Sequence, residues 1–256
     1  MTKAIALVVA ASIGLAATGC TSGNKQAPQG TTPSSASVRA APTAYHPVID
    51  PANFQGLVDN AWFPLKPGSM AVYRGSKDGE PVREVYEVTH GVQKIMGVPC
   101  VVVHDQLFHS DGSLAEDTFD FYTQDRQGNV WYFGEMTVAL DDKEKLTDTE
   151  GSWLAGEDGA QPGIFMEANP TVGHTFRQEY YPAHAEDEFK VLNLQASVSV
   201  PFGPFPNALL TEETTVLEPG IVDHKYYAKG IGEVAELQVR GPKPPEELKL
   251  VSYTSG

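Results

Sequence analysis

Cysteine is nearly absent: 256 residues contain two, Cys20 and Cys100. Bases are scarce as well, 18 against 33 acids, for a net charge of -15. Such a chain repels phosphate backbones, so no nucleic-acid partner is expected. Beyond residue 20 no apolar run is long enough to cross a bilayer. The three-and-four spacing of apolar residues that marks amphipathic helices is almost missing from residue 60 onward. Catalytic signatures are missing too. There is no Gly-X-Ser-X-Gly elbow, no phosphate loop ending in Lys-Ser or Lys-Thr, no His-Glu-X-X-His, no cysteine pair and no calcium loop with alternating acids before a glycine. The common soluble catalytic plans therefore lack support, and neither a cofactor nor a resident metal is expected.

What is present begins at the front. Lys3 precedes the apolar run Ala4 to Ala17, followed by Thr18-Gly19-Cys20: the basic, apolar and small-residue zones of a secretory signal. The Ala-Thr-Gly-Cys ending resembles the processing site of bacterial lipoproteins. That resemblance implies removal of residues 1–19, with Cys20 as the first mature residue carrying lipid such as palmitate. The protein would then be exported and held to a bacterial membrane through Cys20, facing periplasm or exterior. Losing residues 1–19 removes only Lys3, leaving 17 bases against 33 acids, or -16. Residues 21–45 contain 18 Gly, Pro, Ser, Thr or Ala among 25, the composition of a flexible tether, so residues 20–45 read as lipidated cysteine plus tether. With Cys20 lipidated, Cys100 has no disulfide partner. It sits in the apolar Val98-Pro99-Cys100-Val101-Val102-Val103 with no adjoining cation, and reads as an inert core thiol.

Residues 46–256 read as one all-β domain. β-branched and aromatic runs are separated by turn signals at Lys77-Asp78-Gly79-Glu80, Ser110-Asp111-Gly112-Ser113, Arg126-Gln127-Gly128-Asn129 and Glu218-Pro219-Gly220. A shift of 105 residues lays Gly68 on Gly173, Ile95 on Val200, Pro99 on Pro204 and Phe121-Tyr122 on Tyr226-Tyr227. With a one-residue gap, Gly128-Asn129-Val130 falls on Gly232-Glu233-Val234. The expected architecture is an antiparallel curved sheet or open barrel made of two similar meanders, 60–133 and 167–256. The connection 134–166 is rich in acids and glycine, with room for a short helix or hairpin, and reads as a lid or insertion.

Phe63-Pro64-Leu65-Lys66-Pro67-Gly68 with Val72-Tyr73, and Tyr226-Tyr227-Ala228-Lys229-Gly230-Ile231-Gly232-Glu233-Val234, resemble the first and last signatures of bacterial exported domains of the TapB-like and lipoprotein-carrier-like kind. Asp120-Phe121-Tyr122 through Trp131-Tyr132-Phe133-Gly134-Glu135 resembles a large set of bacterial lipoproteins without assigned function. These likenesses imply a curved antiparallel half-barrel, in some members holding lipid in its concave face.

Two acidic clusters and one aromatic set are the candidate site residues. Strand alternation puts Glu116, Thr118, Asp120 and Tyr122 on one face and Phe119 and Phe121 on the other, which predicts a solvated acidic face over an aromatic core face. Glu179, Glu186 and Asp187 lie within nine residues of one another, beside Tyr181 and His184. Tyr122, Trp131, Trp153, Tyr181 and Tyr227 are the candidates for lining a ligand cavity. The leading reading is a tethered lipoprotein that binds a lipid, another small apolar or amphipathic ligand, or a partner protein, without catalysis. Its rivals are a carboxylate-dependent extracytoplasmic hydrolase and a calcium-stabilised envelope or adhesion protein.

Overall fold

A computed structural model describes residues 45–141 and 143–256; Cys20 and most of the tether lie outside the described residues. The glycine turns read from sequence set the first hairpins. Asp78 and Gly79 both take positive φ, 50° and 82°, the pairing demanded by a two-residue hairpin loop whose twist matches its strands. They join β1 (Met70–Lys77) to β2 (Glu80–Ile95), and a second such pair, Met96 and Gly97, joins β2 to β3 (Val98–His109). Gly112 and Gly128 then turn the chain into β4 (Leu114–Gln124) and β5 (Val130–Leu140). The second half repeats the scheme. β9 (Thr175–Arg177) is followed by β11 (Asp187–Val200), β12 (Gly203–Thr215), β13 (Val222–Ala228) and β14 (Gly232–Arg240), and β15 (Glu247–Thr254) closes the chain.

The repeat extends to hydrogen bonding. The Gly68 N–H donates to the Val88 carbonyl at 2.7 Å, and the Val88 N–H returns a bond to Ser69 O at 2.9 Å. Gly173 and Val191 make the same exchange at 2.8 Å, with the Val191 N–H donating to His174 O at 2.9 Å. Both halves are thus antiparallel meanders of matching order.

The connection 134–166 holds short strands rather than a helix. β6 (Leu146–Asp148), β7 (Trp153–Leu154) and β8 (Gln161–Met166) all fold back onto β5. Gly134 permits this close return, because a Cβ there would stand 2.3 Å from the Trp153 carbonyl oxygen. The only helical piece among the described residues is a 3-10 turn at Pro51–Asn53.

One antiparallel sheet results, in the order β10-β8-β5-β4-β3-β2-β1-β15-β14-β13-β12-β11-β9, where β10 is Glu179–Tyr180. Its two ends are consecutive in the chain, since only Gln178 separates β9 from β10. β9 pairs with β11 and β10 with β8, so residues 175–180 draw the edges together into a nearly closed barrel. The seam is tight: a Cβ on Gly163 would lie 2.3 Å from the carbonyl oxygens of both Arg177 and Gln178. Closure satisfies edge N–H and C=O groups that would otherwise offer a template for aggregation.

The segment before β1 packs onto the barrel. Asn60 ties it down, its Oδ1 accepting from Trp62 N at 2.8 Å and Phe63 N at 3.2 Å while its Nδ2 donates to Gly128 O at 2.9 Å and Glu167 O at 3.0 Å. This seats Phe63 between Tyr122 and Tyr227, ring centroids 5.3 and 6.4 Å away. Those tyrosines are the pair related by the 105-residue shift.

Candidate functional site

In a strand with one face turned inward, alternate residues meet the interior. In this barrel the inward rows are polar at mid-height. β4 sends Glu116, Thr118, Asp120 and Tyr122 inward, and β2 sends Glu84 and Tyr86. The acidic face of β4 is therefore the lumen face, not the solvated one expected from sequence, and Phe119 is the residue left 37% exposed, stacked on His104 at 4.3 Å. The alternation holds, but the acidic row lines the lumen, and of the two aromatics Phe121 is buried in the core as expected while Phe119 is left exposed. A barrel of this many strands does not fill its centre with side chains, so the lumen need not be apolar.

Two adjoining chambers occupy the interior. The larger, of about 100 Å³, is lined by Glu84, Asp105, Glu116, Asp120, Glu135 and Glu233 together with Phe63, Tyr73, Tyr86, Tyr122, Tyr132 and Phe165. The smaller, of about 60 Å³, is lined by Glu179, Asp187, Glu213, Asp223 and Glu236. Tyr132, Phe165 and Lys225 border both. Eleven carboxyl groups thus face the chambers with Lys225 as the one cationic side chain in either lining.

Lys225 Nζ lies 3.0 Å from Glu213, 3.5 Å from Glu236 and 3.9 Å from Glu233. These three carboxylates hold the ammonium charged: its pKa is well above the ordinary lysine value despite the opposing effect of burial. By the 105-residue shift Lys225 occupies the place of Asp120, and Tyr227 that of Tyr122, so duplicated positions carry opposite charges beside identical tyrosines.

The carboxyls find few other partners. Tyr132 donates its hydroxyl to Asp120 at 2.6 Å, Trp153 Nε1 donates to Glu179 at 2.9 Å, and Gln178 Nε2 donates to Glu213 at 3.2 Å. Thr118 donates to Glu116 at 3.3 Å. One oxygen each of Glu84, Glu135 and Glu179 is buried with no hydrogen-bond partner.

Desolvation and mutual repulsion act together on these acids. Burial, then the neighbouring Glu236, pushes Glu84 up to about 8. Burial raises Asp120 to about 7 against the pull of the Tyr132 hydrogen bond, and Asp187 to about 7 with the help of Glu213. Asp223 also stands at about 7. Asp105, Glu135, Glu179 and Glu233 are raised well above the carboxylate range, with burial the largest cause in each. Asp105, Asp187, Glu213 and Glu233 are half-buried and border the chambers.

The other sequence-derived candidates fall in different places. Glu116, Asp120 and Tyr122 share the larger chamber, and Glu179 and Asp187 the smaller. Trp153 is buried behind Glu179, and the Tyr227 hydroxyl lies 3.4 Å from Glu213. Contrary to the expectation from sequence, Trp131, Trp153, Tyr181 and Tyr227 border neither chamber; of the five aromatic candidates Tyr122 alone lines one. Trp131 packs edge-on against Phe54 and donates Nε1 to Asp125 at 2.9 Å, while Tyr181 stacks on His184 at 4.3 Å. Glu186 accepts from Ala183 N at 2.9 Å and stands 3.7 Å from Arg177, away from both chambers. Sequence reasoning missed Glu84, Asp105, Glu135, Glu213, Asp223, Glu233, Glu236 and Lys225. Their signal was the same inward alternation that singled out β4, carried through the neighbouring strands. Among the described residues no three His, Cys, Asp or Glu side chains converge as a metal site would require. Cys100 is fully buried, its thiol pushed up to about 12 by desolvation.

Fold and interior together define a small β-barrel with a polar, acid-lined lumen. No protein family matches the chain, and no curated protein is significantly similar to it. Two solved structures are similar to part of the chain. One is a proposed exported protein with YmcC-like fold from Bacteroides fragilis, 15% identical, covering 77% of this chain and 100% of its own, with a TM-score of 0.45. The other is a proposed lipoprotein from Parabacteroides distasonis, 11% identical, with the same coverage and a TM-score of 0.41.

Proposed function

We propose that this protein is an exported, lipid-anchored binding protein that takes a small amphipathic molecule into its barrel and performs no catalysis. The export address is the segment Lys3 to Cys20, and the lipid on Cys20 supplies the membrane attachment, since a mature chain of net charge -16 gains nothing from anionic lipid heads. One observation carries the binding reading. The larger chamber is lined by the rings of Phe63, Tyr122, Tyr132 and Phe165, with Phe63 and Phe165 centroids 4.6 Å apart, interleaved with carboxyls, the Tyr132 hydroxyl donating to Asp120 at 2.6 Å. Binding sites commonly combine apolar lining with a few polar groups that fix orientation.

Native mass spectrometry of the purified soluble domain, with extraction of any retained molecule, tests this. A retained small molecule lost on Phe165→Glu supports the reading, and an empty barrel under gentle ionisation together with no uptake of any added amphiphile removes it. Palmitate labelling in cells tests the anchor, which Cys20→Ala should abolish.

A second reading, a carboxylate-dependent hydrolase, is favoured by one feature. Asp120 and Glu135 are directly paired across β4 and β5, both with raised pKa values, as an acid/base couple requires. Turnover of chromogenic glycosides or esters that disappears in Asp120→Asn would establish it.

A further inference from the structure

The charge balance of the lumen bears on which amphipathic molecule it suits. Eleven carboxyls and one ammonium border the two chambers, and Lys225 is already shared among Glu213, Glu233 and Glu236. Farther round the barrel Glu135, 2% exposed, and Glu84, 5% exposed, line the larger chamber, each with one buried carboxyl oxygen that has no hydrogen-bond partner. Glu179, 1% exposed, does the same in the smaller one. Leaving a buried acceptor bare costs about 1–3 kcal/mol, more when it is charged, so a ligand that donates to these oxygens recovers that cost on binding.

Three ligand classes can be compared. An anionic amphiphile such as a fatty acid adds a charge of the wrong sign to a space that already cannot ionise all its carboxyls. A bare metal ion needs several oxygens at one point, and among the described residues no such convergence occurs. An organic ammonium suits both kinds of lining group. Its N–H groups donate to carboxylates, and its methylene stem lies on the rings of Tyr122, Tyr132 and Phe165, where a cation is also held by the ring faces. The unpartnered oxygens lie in separate chambers, which favours two or more ammonium groups spaced along one flexible chain over a single charge.

We infer that the lumen is a receptor for an organic polycation, a linear di- or polyamine, with Glu84 and Glu135 holding one ammonium in the larger chamber and Glu179 a second in the smaller. This inference rests on the binding reading above and narrows it to one chemistry.

Isothermal titration of the full soluble domain with spermidine, with decanoate and with the neutral detergent dodecyl maltoside as comparison probes, tests it. Spermidine should bind with one-site stoichiometry, and the Glu84→Gln/Glu135→Gln double variant should weaken it at least tenfold while melting no lower than wild type. Non-specific attraction to the acidic exterior would not respond to two buried, shape-conserving changes, so unaltered spermidine binding in the double variant overturns the inference. Binding of decanoate or the maltoside without spermidine overturns the polycation while leaving a binding barrel. Failure of all three probes to bind removes the inference and the binding reading together.

Discussion

Glu84 gives the sharpest test of the acid-lined lumen, because its carboxyl is 5% exposed and has one oxygen without a partner. Burial and Glu236 hold it at about 8 against an ordinary 4.5. At pH 7 the unfolded chain carries this group ionised while the folded chain keeps it protonated, so folding must take up a proton. At about 1.4 kcal/mol per pH unit above 4.5, that uptake costs roughly 3 kcal/mol at pH 7. The sign is that of a raised carboxyl: the folded protein is favoured fully below pH 4.5, and the advantage is lost as pH rises through about 8. Glutamine has the same shape and no charge to lose. Glu84→Gln should therefore match wild type near pH 4 and exceed it by about 3 kcal/mol at pH 7, some 6–12 °C in melting temperature for a domain of this size. Thermal melts of both proteins at pH 4, 5.5, 7 and 8 measure this. Equal melting at pH 7, or a gain as large at pH 4 as at pH 7, would refute a desolvated carboxyl at this position.

Lys225→Met should do the opposite. It strips Glu213, Glu233 and Glu236 of their counter-charge and should cost about 3–5 kcal/mol at pH 8, with a smaller loss at pH 5, since burial raises Glu213 and Glu233 and favours their protonated forms. Urea unfolding at the two pH values measures it, and a pH-independent loss would contradict the network. Gly163→Ala should open the β8–β10 seam at a cost of about 2–4 kcal/mol, because its new methyl meets two backbone oxygens that cannot rotate away; wild-type stability in denaturant would disprove the closure. In a Cys20→Ser background, Cys100 should stay unlabelled by a thiol reagent at pH 8 until the protein is unfolded, and rapid labelling of the native form would show the thiol to be reachable.

The lumen also changes the meaning of the duplication. Two copies of one meander would bring identical polar rows face to face inside the barrel, and identical carboxylate rows repel. At the equivalent positions 120 and 225 one copy carries Asp and the other Lys, each two residues before a buried tyrosine. The lysine neutralises part of an acidic belt that two like rows would have made worse.

Much of this protein is legible in its sequence because the information is local. Positive-φ residues at Asp78-Gly79, Gly112 and Gly128 mark where the chain reverses, β-branched and aromatic runs mark what pairs, and the 105-residue shift marks that the pattern occurs twice. Alternation in Glu116-Asp117-Thr118-Phe119-Asp120 sorts side chains onto two faces. It does not say which face is inside, since that depends on how many strands close the ring and whether side chains can fill the centre. Only the tertiary structure decided that the acidic face turns inward, that residues 175–180 join the two edges, that 134–166 lays strands on β5, and that Glu84, Glu135, Glu179 and Lys225, from four different strands, share one interior. Sequence spacing governs neighbours along a strand, whereas charge repulsion and desolvation in the lumen are set by residues tens to more than a hundred positions apart that meet only when the barrel closes.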